Sequence, residues 1–153
     1  MWFRVDNRLI HGQVIEGWLP YTGAAHLIVA NDALAEDLLR QQIMSLAIPH
    51  HVDVRFVPLK DLAGTLKECG DESFVLFENL QDVRTAARSG VTLNVLNIGN
   101  LHYGAGKKQL CTHVAVSEDD MAVLRELVSG QGTELDFRAV PLESEKIPDE
   151  FVL

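Results

Sequence analysis

Short apolar runs alternate along this chain with longer stretches in which apolar positions recur every three or four residues. "HLIVAN" (26–31) and "SFVLFE" (73–78) are continuous apolar runs of strand length, the pattern of strands covered on both faces. Trp2 to Asp6, "LNVLNIG" (93–99) and "THVAV" (112–116) read as further strands, and "VDVRFV" (52–57) and "ELDFRAV" (134–140) alternate as half-exposed strands do. Between them lie helical stretches. The first runs from Gln13 to Leu19 and ends at Pro20. The second, "ALAEDLLRQQIMSLA", follows Asp32 as its N-cap and stops at Pro49, with Leu34, Leu38, Leu39, Ile43, Leu46 and Ala47 spaced to face a core. Others span 59–68 behind Pro58, 80–90, and 117–132, where Ser117 caps, Asp120 takes the capping-box position and Gly130 ends the helix. A Gly-rich loop follows 99 as far as about 109, and the tail from Pro141 is polar and broken by proline.

About seven strands and about five helices in β-α order predict an α/β fold. The expected architecture is a three-layer sandwich: a mostly parallel, about seven-stranded sheet with helices on both faces, in a single domain over residues 1–153. Open α/β sheets bind ligands beyond the carboxyl ends of their strands. The loops at 6–13, 31–33, 78–80 and 99–108 are therefore expected to share one edge.

Charge and composition narrow the function. With 22 Asp+Glu against 13 Lys+Arg the chain carries a formal net charge of -9, which argues against a nucleic-acid partner. No apolar run approaches the roughly 18 residues that span a bilayer, and "MWFRVDNR" lacks the apolar core of a signal peptide. Cys69 and Cys111 are too few and too scattered for a disulfide framework or a C-x-x-C site, so a reducing cytoplasm is the expected compartment.

The candidate chemistry lies in "DNRLIHGQ", where His11 sits between the first strand and the first helix. A neutral imidazole nitrogen is a nucleophile suited to phosphoryl transfer. That reaction is catalysed mostly by positioning and by positive or N–H groups around the phosphoryl oxygens. Arg8 offers a planar bidentate donor, Gly12 permits close backbone approach, and the following helix offers unpaired N–H groups. Asp6 is expected to hold Arg8 by an ion pair or to anchor the loop through backbone N–H groups, while Leu9 and Ile10 tuck into the core. Taken alone, these residues fit a capping histidine in an ordinary turn about as well.

"RVDNRLIHGQV" closely resembles the active-site segment of the mannose/fructose/sorbose-type enzyme IIB proteins of the bacterial sugar phosphotransferase system (PTS). Asn7 stands where an acidic residue is common in that family. "VANDALA" (29–35), "FENLQDV" (77–83), "NIGNLHYGAGKKQ" (97–109) and "RAVP" (138–141) fall where similar segments fall in the family, so the resemblance covers nearly the whole chain. It implies a phosphocarrier in which His11 takes a phosphoryl group on Nδ1 from a IIA phosphohistidine, with Arg8 assisting. It passes the group to sugar held by membrane IIC and IID subunits. Asp6, Asn7, Gly12, Gln13 and Asp32 are the expected phosphate-binding or site-supporting residues. No metal or organic cofactor is implied. The implied location is the cytoplasm, with a peripheral place at the inner membrane face left open. An orphan regulatory phosphoprotein without sugar transport is the alternative. A flavodoxin-like nucleotide module lacks its G-x-G-x-x-G, and histidine phosphatase chemistry needs an Arg adjacent to the nucleophile rather than two residues away.

Other residues read more plainly. His50 and His51 suit a solvated loop, and His26 and His113 suit hydrogen-bonded structural positions. His102 belongs to a loop expected near His11. "GAGKK" lacks the spacing of a phosphate loop, so Lys107 and Lys108 read as a solvated turn. For Asn31 and Asp32 a helix cap is set beside site support.

Overall fold

The computed structural model describes residues 1–144 and 147–151. Its centre is a six-stranded sheet in the order β3-β2-β4-β1-β5-β8. The strands are β1 (Trp2–Val5), β2 (His26–Ala30), β3 (Asp53–Val57), β4 (Ser73–Phe77), β5 (Val95–Ile98) and β8 (Glu134–Asp136). Every pairing in it is parallel. The three-layer α/β sandwich is as expected, but the sheet has one strand fewer. The run at 112–116 forms β7 (Val114–Val116), which pairs antiparallel with β6 (Lys108–Cys111) in a hairpin outside the main sheet. Pairing with β6 occupies β7, a partner the sequence pattern had left in the Gly-rich loop.

Two apolar clusters lie on the two faces of the sheet. On one face, Val14 and Trp18 of the first helix, Leu34 and Ile48 cover Leu27, Val29, Phe74 and Leu76. On the other, Leu62, Leu66, Leu80, Val83, Val123 and Leu127 cover Phe3, Val5, Ile28, Val75 and Phe77. Chain leaving β1 therefore passes to one face and chain leaving β4 to the other. Such a divergence opens a crevice at the carboxyl edge, where α/β proteins bind ligands.

The helices depart from expectation in two places. Gln13–Trp18 is a π-helical segment that continues into α1 (Leu19–Thr22), so Pro20 sits in the first turn of α1 rather than ending the helix. Proline has no backbone N–H, so the run passes through Pro20 without that helical hydrogen bond, and Gly23, with φ 62°, makes the stop. The stretch after β2 is two helices, α2 (Asp32–Ala35) and α3 (Leu38–Ser45), because the Asp37 side chain accepts from Arg40 N–H and starts a new helix. Of the six residues expected in the core, Leu34 is buried, while Leu38 (71% exposed), Leu39, Ile43, Leu46 (87%) and Ala47 face outward. Asn31, not Asp32, caps α2, its Oδ1 accepting from Leu34 N–H at 2.9 Å.

The remaining helices are α4 (Leu62–Cys69), α5 (Leu80–Arg88) and α6 (Glu118–Gln131). Ser117 and Asp120 form the expected capping box, and α6 ends at Gly132 rather than Gly130. In the tail, Phe151 packs on Phe137 at 5.9 Å, while residues 145, 146, 152 and 153 lie outside the described residues.

Candidate functional site

Strand alternation places Arg4 and Asp6 on the same side of β1, beneath the first helix. Both are fully buried, and Trp18 of that helix lies over the Arg4 guanidinium at 5.4 Å. The ladder continues past β1, with Asp6 N–H donating to Phe77 O and Asn7 N–H to Asn100 O, both at 2.8 Å. The chain then turns, Leu9 N–H donating to Asp6 O at 3.0 Å. Leu9 takes φ 55°, a left-handed conformation that costs a non-glycine residue roughly 1–2 kcal/mol. Burial of its side chain offsets that cost and pins the turn. His11 follows, its carbonyl accepting from Val14 and Ile15 N–H at 3.0 Å each, so the imidazole stands at the start of the helix.

Asp6 organises the site. Its Oδ2 accepts from His11 Nε2 at 2.7 Å, from Arg4 Nε at 3.2 Å and Nη2 at 2.9 Å, and from Asn100 Nδ2 at 3.0 Å. Its Oδ1 accepts from Arg8 N–H at 2.9 Å. Of the two roles foreseen for Asp6, loop anchoring is seen, but the ion pair is with Arg4 and not with Arg8. Burial pushes the Asp6 carboxyl up, yet the His11 hydrogen bond, the Arg4 charge and the Arg8 N–H together bring it down to about 2. A carboxylate can only accept, so His11 Nε2 carries a proton, and in the neutral imidazole Nδ1 then holds the free electron pair. Nδ1 is shielded from solvent and has no hydrogen-bond partner among the described residues.

The other expected residues divide. Gln13 Oε1 accepts from Asn100 Nδ2 at 2.9 Å and from Arg4 Nη2 at 3.4 Å. Asn7 ties three loops together, Nδ2 donating to Glu78 O at 2.7 Å and Oδ1 accepting from His102 N–H at 2.8 Å. Gly12 is exposed, and a Cβ there would meet open space. Arg8 is exposed, and its guanidinium has no partner among the described hydrogen bonds and ion pairs. Asp32 is at the same edge, but its Oδ1 accepts from Leu59 N–H at 2.8 Å and it makes no described contact with His11. Near it burial pushes Asp82 up to about 6, with the charges of Glu78 and Asp32 adding to the effect.

Arg4, Asn97 and Asn100 are site residues that the motif reading left unassigned. Asn97 Oδ1 accepts from Arg4 Nη1, and its Nδ2 donates to Asp136 O and Arg138 O. Their signal was available, since a polar residue in the middle of a run such as "LNVLNIG" falls beneath a covering layer and needs a partner there. Of the histidines set aside, His50 and His51 are exposed and His26 Nδ1 meets Asp53 Oδ2 at 3.0 Å, as expected, whereas His113 is exposed and its ring makes no described hydrogen bond, so it is not the hydrogen-bonded structural residue expected. Lys108 departs from a solvated turn, lying in β6 and pairing with Glu150 at 2.8 Å.

The molecule is thus an open parallel α/β protein carrying, at its ligand edge, an imidazole held by a buried carboxylate. A family profile described as "PTS system sorbose subfamily IIB component" matches residues 1–152. The N-acetylgalactosamine-specific phosphotransferase enzyme IIB component 2 of Escherichia coli is 35% identical over 142 residues, covering 92% of this chain and 90% of that protein. The sorbose-specific EIIB component of Klebsiella pneumoniae is 37% identical over 140 residues, covering 90% and 85%. Among solved structures, an N-acetylgalactosamine IIB component from Streptococcus pyogenes superposes with TM-score 0.91 at 26% identity, covering 99% of this chain and 96% of that one. The IIB domain of the Klebsiella pneumoniae sorbose permease gives 0.84 at 34% identity, covering 95% and 90%. The chain belongs to the sorbose subfamily of PTS IIB components, and is a phosphotransferase of that system.

Proposed function

We propose that the chain is a single IIB domain, residues 1–153, whose His11 accepts a phosphoryl group on Nδ1 from the phosphohistidine of a IIA protein and passes it to a sugar at a IIC/IID membrane complex. One observation carries this reading: Asp6 occupies Nε2 and leaves Nδ1 as the nitrogen with a free electron pair. As the P–N bond on the donor breaks, the Nδ1–P bond forms, and the donor imidazole leaves with its electron pair. Nε2 keeps its proton, hydrogen-bonded to Asp6, throughout, so no proton moves in this step. Phosphorylated His11 is an imidazolium, and Asp6 lies 2.7 Å away to balance that charge. Arg8 supplies the mobile cation for the phosphoryl oxygens, together with first-turn N–H groups that lack helical partners.

A IIA partner is supported by the mannose-specific EIIAB component of Escherichia coli, 31% identical over 140 residues, in which 90% of this chain matches 43% of that protein. The relatives' names carry N-acetylgalactosamine, sorbose, fructose and mannose, which fits sugar choice residing in the membrane subunits. No helix among the described residues is long and apolar enough to cross a membrane. The domain is proposed to work in the cytoplasm against those subunits.

The test is intact mass after incubation with phosphoenolpyruvate, enzyme I, HPr and a mannose-class IIA protein, with His11→Ala alongside. Gain of one acid-labile phosphoryl group in the wild type alone is expected. No gain from any such donor would overturn phosphoryl acceptance by His11.

A further inference from the structure

A charged residue in the middle of a parallel strand does nothing for folding that an apolar one would not do as well. Arg4 is the third residue of β1, between Leu76 of β4 and Asn97 of β5, and is fully buried. Replacing buried ion pairs by apolar residues is often neutral or stabilising. Its neighbourhood is nevertheless shaped to hold it. A Cβ at Gly99 would overlap the guanidinium, so glycine is required there for close approach rather than for its backbone angles. The guanidiniums of Arg4 and Arg138 each lie 5.4 Å from the Trp18 ring. The fork points side-on at the one carboxylate oxygen that also receives His11.

We infer that Arg4 is a positioning residue for His11: by clamping Asp6 it fixes the imidazole as the Nε2–H tautomer and so keeps the Nδ1 electron pair available. The inference rests on the proposed role of His11 as phosphoryl acceptor. Charged and titratable groups reach this network from several elements. Arg4 and Asp6 come from β1 and its end, Arg8 from the turn, and Asp136 and Arg138 from β8 and the chain after it. Gln13, Asn97 and Asn100 complete it as neutral partners. Arg138 pairs with Asp136 at 2.7 Å, so the buried charges balance only with Arg4 present.

Without Arg4, Asp6 would be a buried anion facing His11 with no cation against it. Such a carboxyl takes a proton from solvent. Once protonated it donates to Nε2, which must then carry the electron pair, and the ring proton moves to Nδ1. The acceptor nitrogen is thereby lost with no bond to carbon changed.

The experiment reads the His11 tautomer from long-range proton–nitrogen correlations in histidine-labelled protein, for wild type, Arg4→Met, Arg4→Gln and Arg4→Lys. Phosphoryl acceptance from phosphorylated IIA is measured in parallel. Expected are Nε2–H in the wild type, at least half Nδ1–H in Arg4→Met, and a loss in kcat of about tenfold or more with KM changed less than twofold. Arg4→Lys keeps the charge and is expected to restore the tautomer and most of the rate, which a purely structural role would not do. If Arg4→Met does not fold, Arg4→Gln, with a neutral donor at about the place of Nε, carries the same expectation. A wild type already in the Nδ1–H form overturns the inference whatever the variants do, and so does a neutral variant that keeps Nε2–H. A wild type that takes no phosphoryl group while its tautomer still follows Arg4 refutes the transfer reading and leaves the clamp standing.

Discussion

His11 Nε2 and Asp6 Oδ2 lie 2.7 Å apart across a five-residue turn, and that contact decides which ring nitrogen is free to react. Asp6→Asn should therefore do more than weaken a hydrogen bond. Its amide can donate to Nε2 and stabilise the wrong tautomer. Phosphoryl acceptance should fall on the order of 10²- to 10⁴-fold, measured by rapid-quench transfer from phosphorylated IIA. A loss under threefold would remove Asp6 from the mechanism.

Arg8 should separate activity from stability. Its side chain is exposed and free of described partners, so Arg8→Ala should change unfolding free energy by no more than about 0.5 kcal/mol. Phosphoryl acceptance should nevertheless drop about tenfold or more, and Arg8→Lys should recover only part of it, because an ammonium lacks the bidentate fork. Chemical denaturation beside transfer kinetics tests both halves.

Two carboxylates should tilt the stability profile in opposite directions. Asp6 is lowered to about 2 from 3.8, so its contribution is fully present above the ordinary value and is lost as pH falls from about 4 through about 2. The linked stabilisation is about 2 kcal/mol at neutral pH. Asp82 is raised to about 6 from 3.8, so holding it ionised in the fold costs stability above pH 6, and the cost fades as pH falls toward 4. Asp82→Asn should gain about 1 kcal/mol at pH 7–8 and nothing near pH 4. Denaturant melts across pH 2–8 would show whether the two difference curves slope as stated.

Gly99→Ala should be costly although its backbone angles suit any residue. The added methyl overlaps the Arg4 guanidinium, and crowding of this kind typically costs about 1–3 kcal/mol. A melting temperature equal to the wild type's would show that Arg4 can shift without penalty.

The exposed side of α3 supplies a sharp contrast. Leu39→Lys or Leu46→Lys should alter stability by no more than about 0.5 kcal/mol, because both side chains already face outward. From the apolar spacing alone either change would break a core. Thermal melts of both variants distinguish these cases.

That contrast marks how far the amino-acid pattern could be followed. Strands such as 26–31 and 73–78 were legible because a continuous apolar run between turn residues admits few other environments. The spacing of Leu38, Leu39, Ile43 and Leu46 identifies a helix but not which way it faces, and Asp37 interrupts it with a cap that a propensity count overlooks. The segment at 112–116 has strand character, but its pairing with 108–111 depends on a hairpin that apolar periodicity does not encode. At the site, His11 and its loop stood out as chemistry-bearing residues in a short string. Asp6's partner did not, because Arg4 reaches it through the pleat of β1, two residues away along the strand, while Arg8 is equally close in sequence.

Asn7 carries a consequence for how the protein comes into being. Its side chain joins Glu78 O and His102 N–H, while β1 itself is inserted between β4 and β5. His11 thus leaves the ribosome well before its setting is complete, because that setting needs chain made some ninety residues later. Until Asn100 and His102 have emerged, β1 has no seat in the centre of the sheet and Asp6 has only part of its surroundings. Pairings so distant in sequence slow folding through the entropy of closing long loops. The reactive imidazole is therefore expected to be assembled as one of the last acts of folding, so a prematurely released chain would carry the histidine without the geometry that makes it an acceptor.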